Sequence, residues 1–446
     1  MCPSRPQEKP TRPLPLTDPD TLFEELLQDL PPETTQMARE FKAFVRAKKV
    51  KTPEQLLRVV FFYCGLDKSL REVAGTLTAL YETITDQAVA ERWRACGPWV
   101  PAMLRRMLPR LQEDIRPAGH RFVVIDASSI QAPGATGTDH RLHIALDLWS
   151  LQFLEVVVSD GHTGETLQHF TLAPGDVAVA DRGSAQCQGL HAAVAQGADL
   201  IVRLNPCRVV RSDAAGTPLE LCVTLKRQKT ATLRTLAVTL GAAGGQQEGR
   251  GWVHAYRLNA EHAKRARHTC RQGHKKGTPS APSLFLAGWV LVFTTLAPAG
   301  LSAQTIMALY RCRWQVEIAI KRWKSVLEVD ALRAKAHRPL AAVWLHGKLL
   351  YALLLERRMR RQLGDSWGRL DHARVGTWWR GWGMLQDELA PRITGALFWK
   401  EDAWAACLKV VMERPRRRTL QQLPPAALDL LYRCDASQQE SEPIAA

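Results

Sequence analysis

The chain of 446 residues carries 60 Lys and Arg against 44 Asp and Glu, a formal net charge of +16, and 46% of its residues are hydrophobic. That composition excludes wholesale disorder, leaves room for several domains and favours a polyanionic partner. It also argues against a membrane-spanning protein or a disulfide scaffold: the longest apolar stretch, Ser283 to Ala297, is short and broken by threonine, no apolar leader follows Met1, and the ten cysteines stand singly without a C-x-x-C pair. A cytoplasmic protein is expected.

Residues 1–33 are proline-rich and read as a flexible arm with one short helix at Asp18 to Leu30. From 34 to 115 the periodicity is helical. Thr52-Pro53-Glu54-Gln55 supplies an N-cap, a proline at the first helical position and a capping-box Gln; Ser69 and Glu72 form a second box, and Thr85-Asp86 starts a helix through Trp93. Two short helices joined by Leu80 to Ile84 resemble a helix-turn-helix. Nearby Arg39, Lys42, Arg46, Lys48, Lys49 and Lys51 form a basic run suited to phosphates. This segment is expected to bind DNA; the alternative is a helical cap with a solvated charged face.

Residues 116–205 read as a compact α/β unit. Arg121 to Ile125, Leu142 to Leu148 and Phe153 to Val158 are successive strand-like runs, followed by a helix at Gly164 to Phe170, a strand at Val177 to Ala180, a helix at Ala185 to Gln196 and a strand at Leu200 to Leu204. Two apolar runs stop at an acid: Phe122-Val123-Val124-Ile125 leads into Asp126, and Val177-Ala178-Val179-Ala180 into Asp181. Carboxylates at the rims of neighbouring strands can meet. Asp176 lies five residues before Asp181, and Asp160 and Glu165 flank another strand end, so periodicity alone does not choose among them; Asp181 is preferred because it directly terminates an apolar run. Asp139, His140, Arg141 and His143 read as a polar turn.

The stretch 206–297 alternates β-like runs, at Leu219 to Lys226, Thr230 to Thr239 and Trp252 to Leu258, with polar loops. It is far longer than a direct connection needs, which predicts an inserted β-rich subdomain. Lys264, Arg265, Arg267, Arg271, Lys275 and Lys276 lie in what reads as a basic loop, either a DNA clamp or a solvated excursion. His268, Cys270 and His274 sit in that loop, where positive neighbours disfavour a cation. Leu284 to Gly288 reads as the start of a strand that returns through Trp289.

Residues 298–361 contain Tyr310-Arg311-Cys312-Arg313-Trp314-Gln315-Val316-Glu317 and then Lys324. At 100° per residue, Tyr310, Arg313, Glu317 and Lys324 fall within about 60° of one another on one helix, beside an apolar stripe of Leu309, Val316, Ile320, Trp323 and Leu327. A lone carboxylate among cations suits metal-assisted phosphate chemistry; an i,i+4 salt-bridge ladder is the plain alternative. Leu340 to Arg361 is a long amphipathic segment, and 362–446 is partly helical with a basic cluster at Arg414 to Arg418. That last region is either a dimer interface or a cap with a loose tail from Gln438.

Taken together, these motifs resemble the DDE transposases of bacterial insertion sequences, in particular the insertion-sequence-four group. The spacing Tyr310, Arg313, Glu317, Lys324 fits that group's signature, and Val-Ile-Asp126-Ala-Ser-Ser and Ala-Asp181-Arg182-Gly183 are close to its wording around the two aspartates. The resemblance covers about residues 38 to 360. It implies an α/β, ribonuclease-H-like catalytic core interrupted by a β-rich insertion, with helical N-terminal and C-terminal regions. It further implies that Asp126, Asp181 and Glu317 are catalytic and hold metal, with Tyr310, Arg313 and Lys324 at the DNA. Arg203 stands where the family keeps an arginine near DNA, and Trp289 where it has a tryptophan that stacks on a flipped base.

The partners so implied are double-stranded DNA, both transposon ends and target, and a second copy of the chain in a paired complex associated with the bacterial nucleoid. The reaction expected is nicking, hairpin formation, hairpin opening and strand transfer. Hard carboxylate ligands without His or Cys suit two Mg2+ ions, with Mn2+ as a substitute; Asp126 would bridge them, and Asp181 and Glu317 would each hold one. A nuclease outside transposition and a non-catalytic repressor derived from a transposase remain the alternatives.

Overall fold

The computed structural model describes residues 19–108, 119–204, 211–213, 216–227, 232–240, 249–273, 278–333, 339–363, 378–395 and 423–431. Most of the expected N-terminal arm, His274, Lys275, Lys276, the Arg414 to Arg418 cluster and the tail lie outside these residues. The chain divides into two compact units, Met1–Met107 with Ala342–Arg358 and Trp382–Ala405, and Leu108–Ala341 with Met359–Gly381 and Ala406–Ala446.

The first unit is helical, with α1 (Pro19–Leu27), α2 (Thr34–Glu40), α3 (Pro53–Cys64), α4 (Leu70–Leu80), α5 (Asp86–Ala95) and α6 (Trp99–Met107). Its start signals act locally: Thr52 accepts the Gln55 amide at 3.2 Å, Ser69 and Glu72 close a reciprocal capping box, and Thr85 accepts the Ala88 amide at 3.2 Å. α3 is buried on every side from Leu56 to Cys64, the Arg58 side chain included. It meets Ala342–Arg358 of the long helix Pro339–Leu363 closely enough that a Cβ on Gly347 would collide with the Cys64 sulfur. Buried charges are paired: Arg358 reaches Asp29 at 3.3 Å and Glu388 at 2.8 Å, and Glu388 also accepts from Arg392 at 2.6 Å. The helix Trp378–Thr394 therefore contributes to this unit from Trp382 onward. In the basic run, Lys49 and Lys51 both pair with Glu82 at 2.7 Å, and Arg39, Lys42, Arg46 and Lys48 are exposed.

The second unit is built on one nine-stranded sheet. Its strands are β1 (Arg121–Ile130), β2 (His140–Asp147), β3 (Phe153–Asp160), β4 (Asp176–Ala180), β5 (Asp199–Arg203), β6 (Arg211–Ser212), β7 (Leu233–Leu240), β8 (Gly249–Arg257) and β9 (Trp289–Thr294), in the spatial order β3-β2-β1-β4-β5-β9-β8-β7-β6. β1 to β3 form an antiparallel meander, and β4 and β5 run parallel to β1. All five residues of β4 are buried, as a central parallel strand requires. α7 (Cys187–Ala195) sends Leu190 and Ala193 into a cluster with Val123, Ile125, Ala178 and Ala180. Where β1 and β4 begin, Arg121 and Asp176 are paired in register and joined by two hydrogen bonds of 2.8 and 2.7 Å. This accounts for Asp176, one of the competing acids, as structural.

Several elements differ from the sequence expectation. The inserted stretch joins the core sheet: β9 pairs with β5 on one side and β8 on the other, so β6 to β8 extend it. Leu219 to Lys226 is helical, as α8 (Leu221–Lys226), not a strand. The basic stretch is a helix, α9 (Ala260–Gln272), started by Asn259, whose side chain accepts the His262 amide at 2.9 Å. Residues before Trp289 form α10 (Ala281–Leu286), capped by Ser280 with Pro282 in the first turn. Gly164 to Phe170 gives only a single tight turn over Leu167–His169. The signature segment is two helices, α11 (Ala303–Cys312) and α12 (Trp314–Leu327), which meet at Arg313. α11 packs on β4, β5 and β9, and α12 on β1 and β2; its Trp323 also stacks on Phe153, at the start of β3, with ring centroids 4.1 Å apart.

Candidate active site

Ile125 and Ala180 are partners in the parallel β1–β4 ladder, so the residues that follow them, Asp126 and Asp181, emerge side by side. α11 and α12 bring the signature residues over this rim. The Tyr310 hydroxyl donates to Asp181 Oδ1 at 2.9 Å, and Arg203, at the end of β5, lies 3.8 Å from the same oxygen. Arg313 spans the other two acids: one guanidinium nitrogen is 3.6 Å from Asp126 Oδ2, and the other donates to Glu317 Oε1. Lys324 donates to the Ser129 carbonyl at 3.4 Å and lies 3.5 Å from Asp330. The three acids are thus gathered around one guanidinium, with Tyr310 and Arg203 on the Asp181 side.

Electrostatics distinguish the two aspartates. Burial pushes the Asp126 carboxyl up to about 6; Arg313 opposes the rise, and the charges of Glu317 and Glu165 add to it. Burial would raise Asp181 too, yet the Arg182 backbone N–H, Arg313, the Tyr310 hydroxyl and Arg203 hold it below the usual carboxylate range. Burial and the Asp181 charge push the Tyr310 phenol up to about 12, so it stays a donor. Burial works against the Arg313 charge, but Asp181, Glu317 and Asp126 outweigh it and raise its pKa.

The sequence reading leaves three contributors unassigned. Glu165 lies against the bare face of Gly183, where any side chain would strike its carboxylate, and its backbone carbonyl accepts from Gln186 at 2.9 Å. Arg182 sits within the field of Arg203 and Asp181. Lys321 is 3.9 Å from Glu317, one turn away, and i,i+4 spacing is the signal that could have found it. Trp289 opens β9, whose Val292 is the partner of Arg203. It is 5% exposed, packs in the core cluster and tilts against Phe285 at 6.2 Å. Presenting that ring to a DNA base would require it to leave this packing.

The donor set of Asp126, Asp181 and Glu317 suits a hard divalent ion, since it is made of carboxylate oxygens alone. The grouping does not. Among the described residues no three His, Cys, Asp or Glu side chains are placed to hold a metal, and Arg313 lies between Asp126 and Glu317. The shared coordination expected of the acids is therefore not present in this arrangement. His268 and Cys270 do not form such a group either.

Among the described residues no helix is long and apolar enough to cross a membrane. A family model described as the transposase DDE domain matches residues 117–353, which span both aspartates, the insertion and the signature helices. The chain is 30% identical over 335 residues to the putative transposase InsL for insertion sequence element IS186A of Escherichia coli strain K12, covering 73% of this chain and 90% of that protein. It is equally similar, over 336 residues and with the same coverage, to the transposase for IS421 of Escherichia coli, and 24% identical over 311 residues to that for IS231D of Bacillus thuringiensis, covering 60% of this chain and 62% of that protein. Enzymes with this domain act on DNA and generally use divalent metal ions. Neighbouring aspartates where the parallel pairing of β1 and β4 ends, a glutamate carried over them on a later helix and the extent of these matches lead to one conclusion: the chain belongs to the DDE transposases of insertion sequences.

Proposed function

We propose that this chain binds the terminal repeats of its own insertion sequence, cuts the phosphodiesters at the element's ends and joins them to target DNA, with Asp126, Asp181 and Glu317 as the reactive acids. The observation that carries this reading is the meeting of three acids, distant along the chain, around Arg313 and Tyr310. A guanidinium held beside carboxylates has the fork geometry that also fits a phosphate, so Arg313 and Arg203 are the groups to receive the DNA backbone. Tyr310 keeps its proton and can order a terminal nucleotide. The positive charge of the whole chain and the exposed cations of α9 and the N-terminal basic run supply the sequence-independent attraction that DNA binding needs. Should the acids regroup around metal, their all-oxygen character favours Mg2+, with Mn2+ as substitute. Two copies acting on paired ends, and hairpin ends as intermediates, belong to the same proposal.

The test is Glu317→Gln, which keeps the shape and removes the charge. Cleavage of a duplex carrying the element's ends should fall by roughly 100-fold or more, while binding of that duplex in a mobility-shift assay stays near the parent value. Excision at the parental rate by this variant would overturn the assignment.

A further inference from the structure

The signature side chains are already engaged within the protein. Tyr310 donates to Asp181, Arg203 faces Asp181, Lys324 is committed to Ser129 and Asp330, and Arg313 links Asp126 to Glu317. Two partly desolvated carboxylates close to one another need a counter-ion, and a guanidinium is the one present. A divalent cation shared by Asp126 and Glu317 would have to enter where that guanidinium lies.

Arg313 is also placed at a joint. It separates α11 from α12, and the backbone there tightens: its amide donates to the Tyr310 carbonyl at 3.1 Å, and the Val316 amide to its own carbonyl at 3.2 Å, both three residues apart. Glu317 is anchored one turn further on, in α12. The arginine can therefore be redirected without displacing the helix that carries the acid. A guanidinium fork accepts a phosphate as readily as a carboxylate.

We propose that Arg313 is an exchangeable internal counter-ion: in the DNA-free protein it blocks entry of a divalent cation between Asp126 and Glu317, and it yields when a phosphodiester of bound DNA takes the guanidinium. The inference rests on the reading of Asp126, Asp181 and Glu317 as the acids of the DNA-processing site. By reciprocity, DNA tightens metal binding and metal tightens DNA binding. The free enzyme would then hold its acids disarmed, and metal loading would follow the arrival of the substrate.

The experiment is titration of the purified full-length chain with Mn2+, without nucleic acid, read from the loss of the free-ion electron paramagnetic resonance signal. Arg313→Gln should bind Mn2+ at least about tenfold more tightly than the parent, equivalent to about 1.4 kcal/mol. Arg311→Gln removes the same charge from an exposed neighbouring position and should leave the affinity unchanged. No gain in Arg313→Gln, or an equal gain in Arg311→Gln, overturns the proposal. Adding Glu317→Gln to Arg313→Gln should erase the gain; persistence of the gain would instead overturn the reading of the acids. If Arg313→Gln does not fold, the parent chain decides: duplex DNA, with its own Mn2+ uptake subtracted, should tighten binding by a similar factor, and no change overturns the proposal.

Discussion

Replacing Asp176 with Asn should destabilise the sheet unit far more than a change of one atom suggests. Its carboxylate is 0% exposed and takes two hydrogen bonds from Arg121, whose side chain is 7% exposed, and a third from the Ala173 amide at 2.9 Å. The substitution leaves the Arg121 cation buried without its counter-charge, which costs about 3–5 kcal/mol. For a unit of this size that corresponds to roughly 6 to 20 °C in melting temperature. The double variant Arg121→Met with Asp176→Leu removes both charges and should recover a large part of the loss, because an apolar pair of similar volume leaves no unpaired ion. Thermal unfolding followed by circular dichroism on the two single variants and the double closes the cycle. A loss below about 1 kcal/mol in Asp176→Asn, or a double variant as unstable as the sum of its parts, would refute the reasoning. Arg121 and Asp176 are register partners at one end of β1 and β4, and the strands deliver Asp126 and Asp181 at the other. A shift of one residue would turn the acids to opposite faces, so loss of the pair should also lower cleavage of a transposon-end duplex.

Gly347→Ala forces a methyl group into the Cys64 sulfur and should cost about 1–3 kcal/mol, measured by denaturant unfolding, unless the two helices can part. His143 is buried, bonded to Ser159 at 2.8 Å, and pushed down to about 4 by burial, His169 and Arg141, so it is neutral in the folded chain. A histidine depressed in this way contributes stability that is fully present above about pH 6.5 and is lost as pH falls towards 4, because the unfolded chain takes the proton first. The unfolding midpoint should therefore drop more steeply between pH 7 and pH 5 in the parent than in His143→Gln, and parallel profiles would contradict this.

The parts of the site that could be read along the chain are those with local signals. A buried apolar run that meets an acid marks Asp126 and Asp181: Phe122 to Ile125 precede the first and Val177 to Ala180 the second, although β1 itself continues past Asp126 to Ile130. The helical period places Tyr310, Arg313, Glu317 and Lys324 on one side, but it is the same before and after Arg313, so a joint made without proline or glycine leaves no trace. Lys324 shares that side and still faces Asp330, because a stripe specifies direction and not reach. α9 was hidden by its composition: alternating Ala, Arg and Lys fits a solvated loop as well as a helix, and the Asn259 cap is the cue that separates them. The continuity of the insertion with the sheet could not be read at all, because β5 and β9 are brought together across a long excursion by pairing that no local pattern encodes.

That continuity has a mechanical meaning. A module tethered by two loose linkers could swing, whereas β6 to β8 are welded through β9 to the strand that ends in Arg203. The outer half of the sheet is thereby held at a set offset from the aspartate rim, and that offset is a property of strand count rather than of loop length.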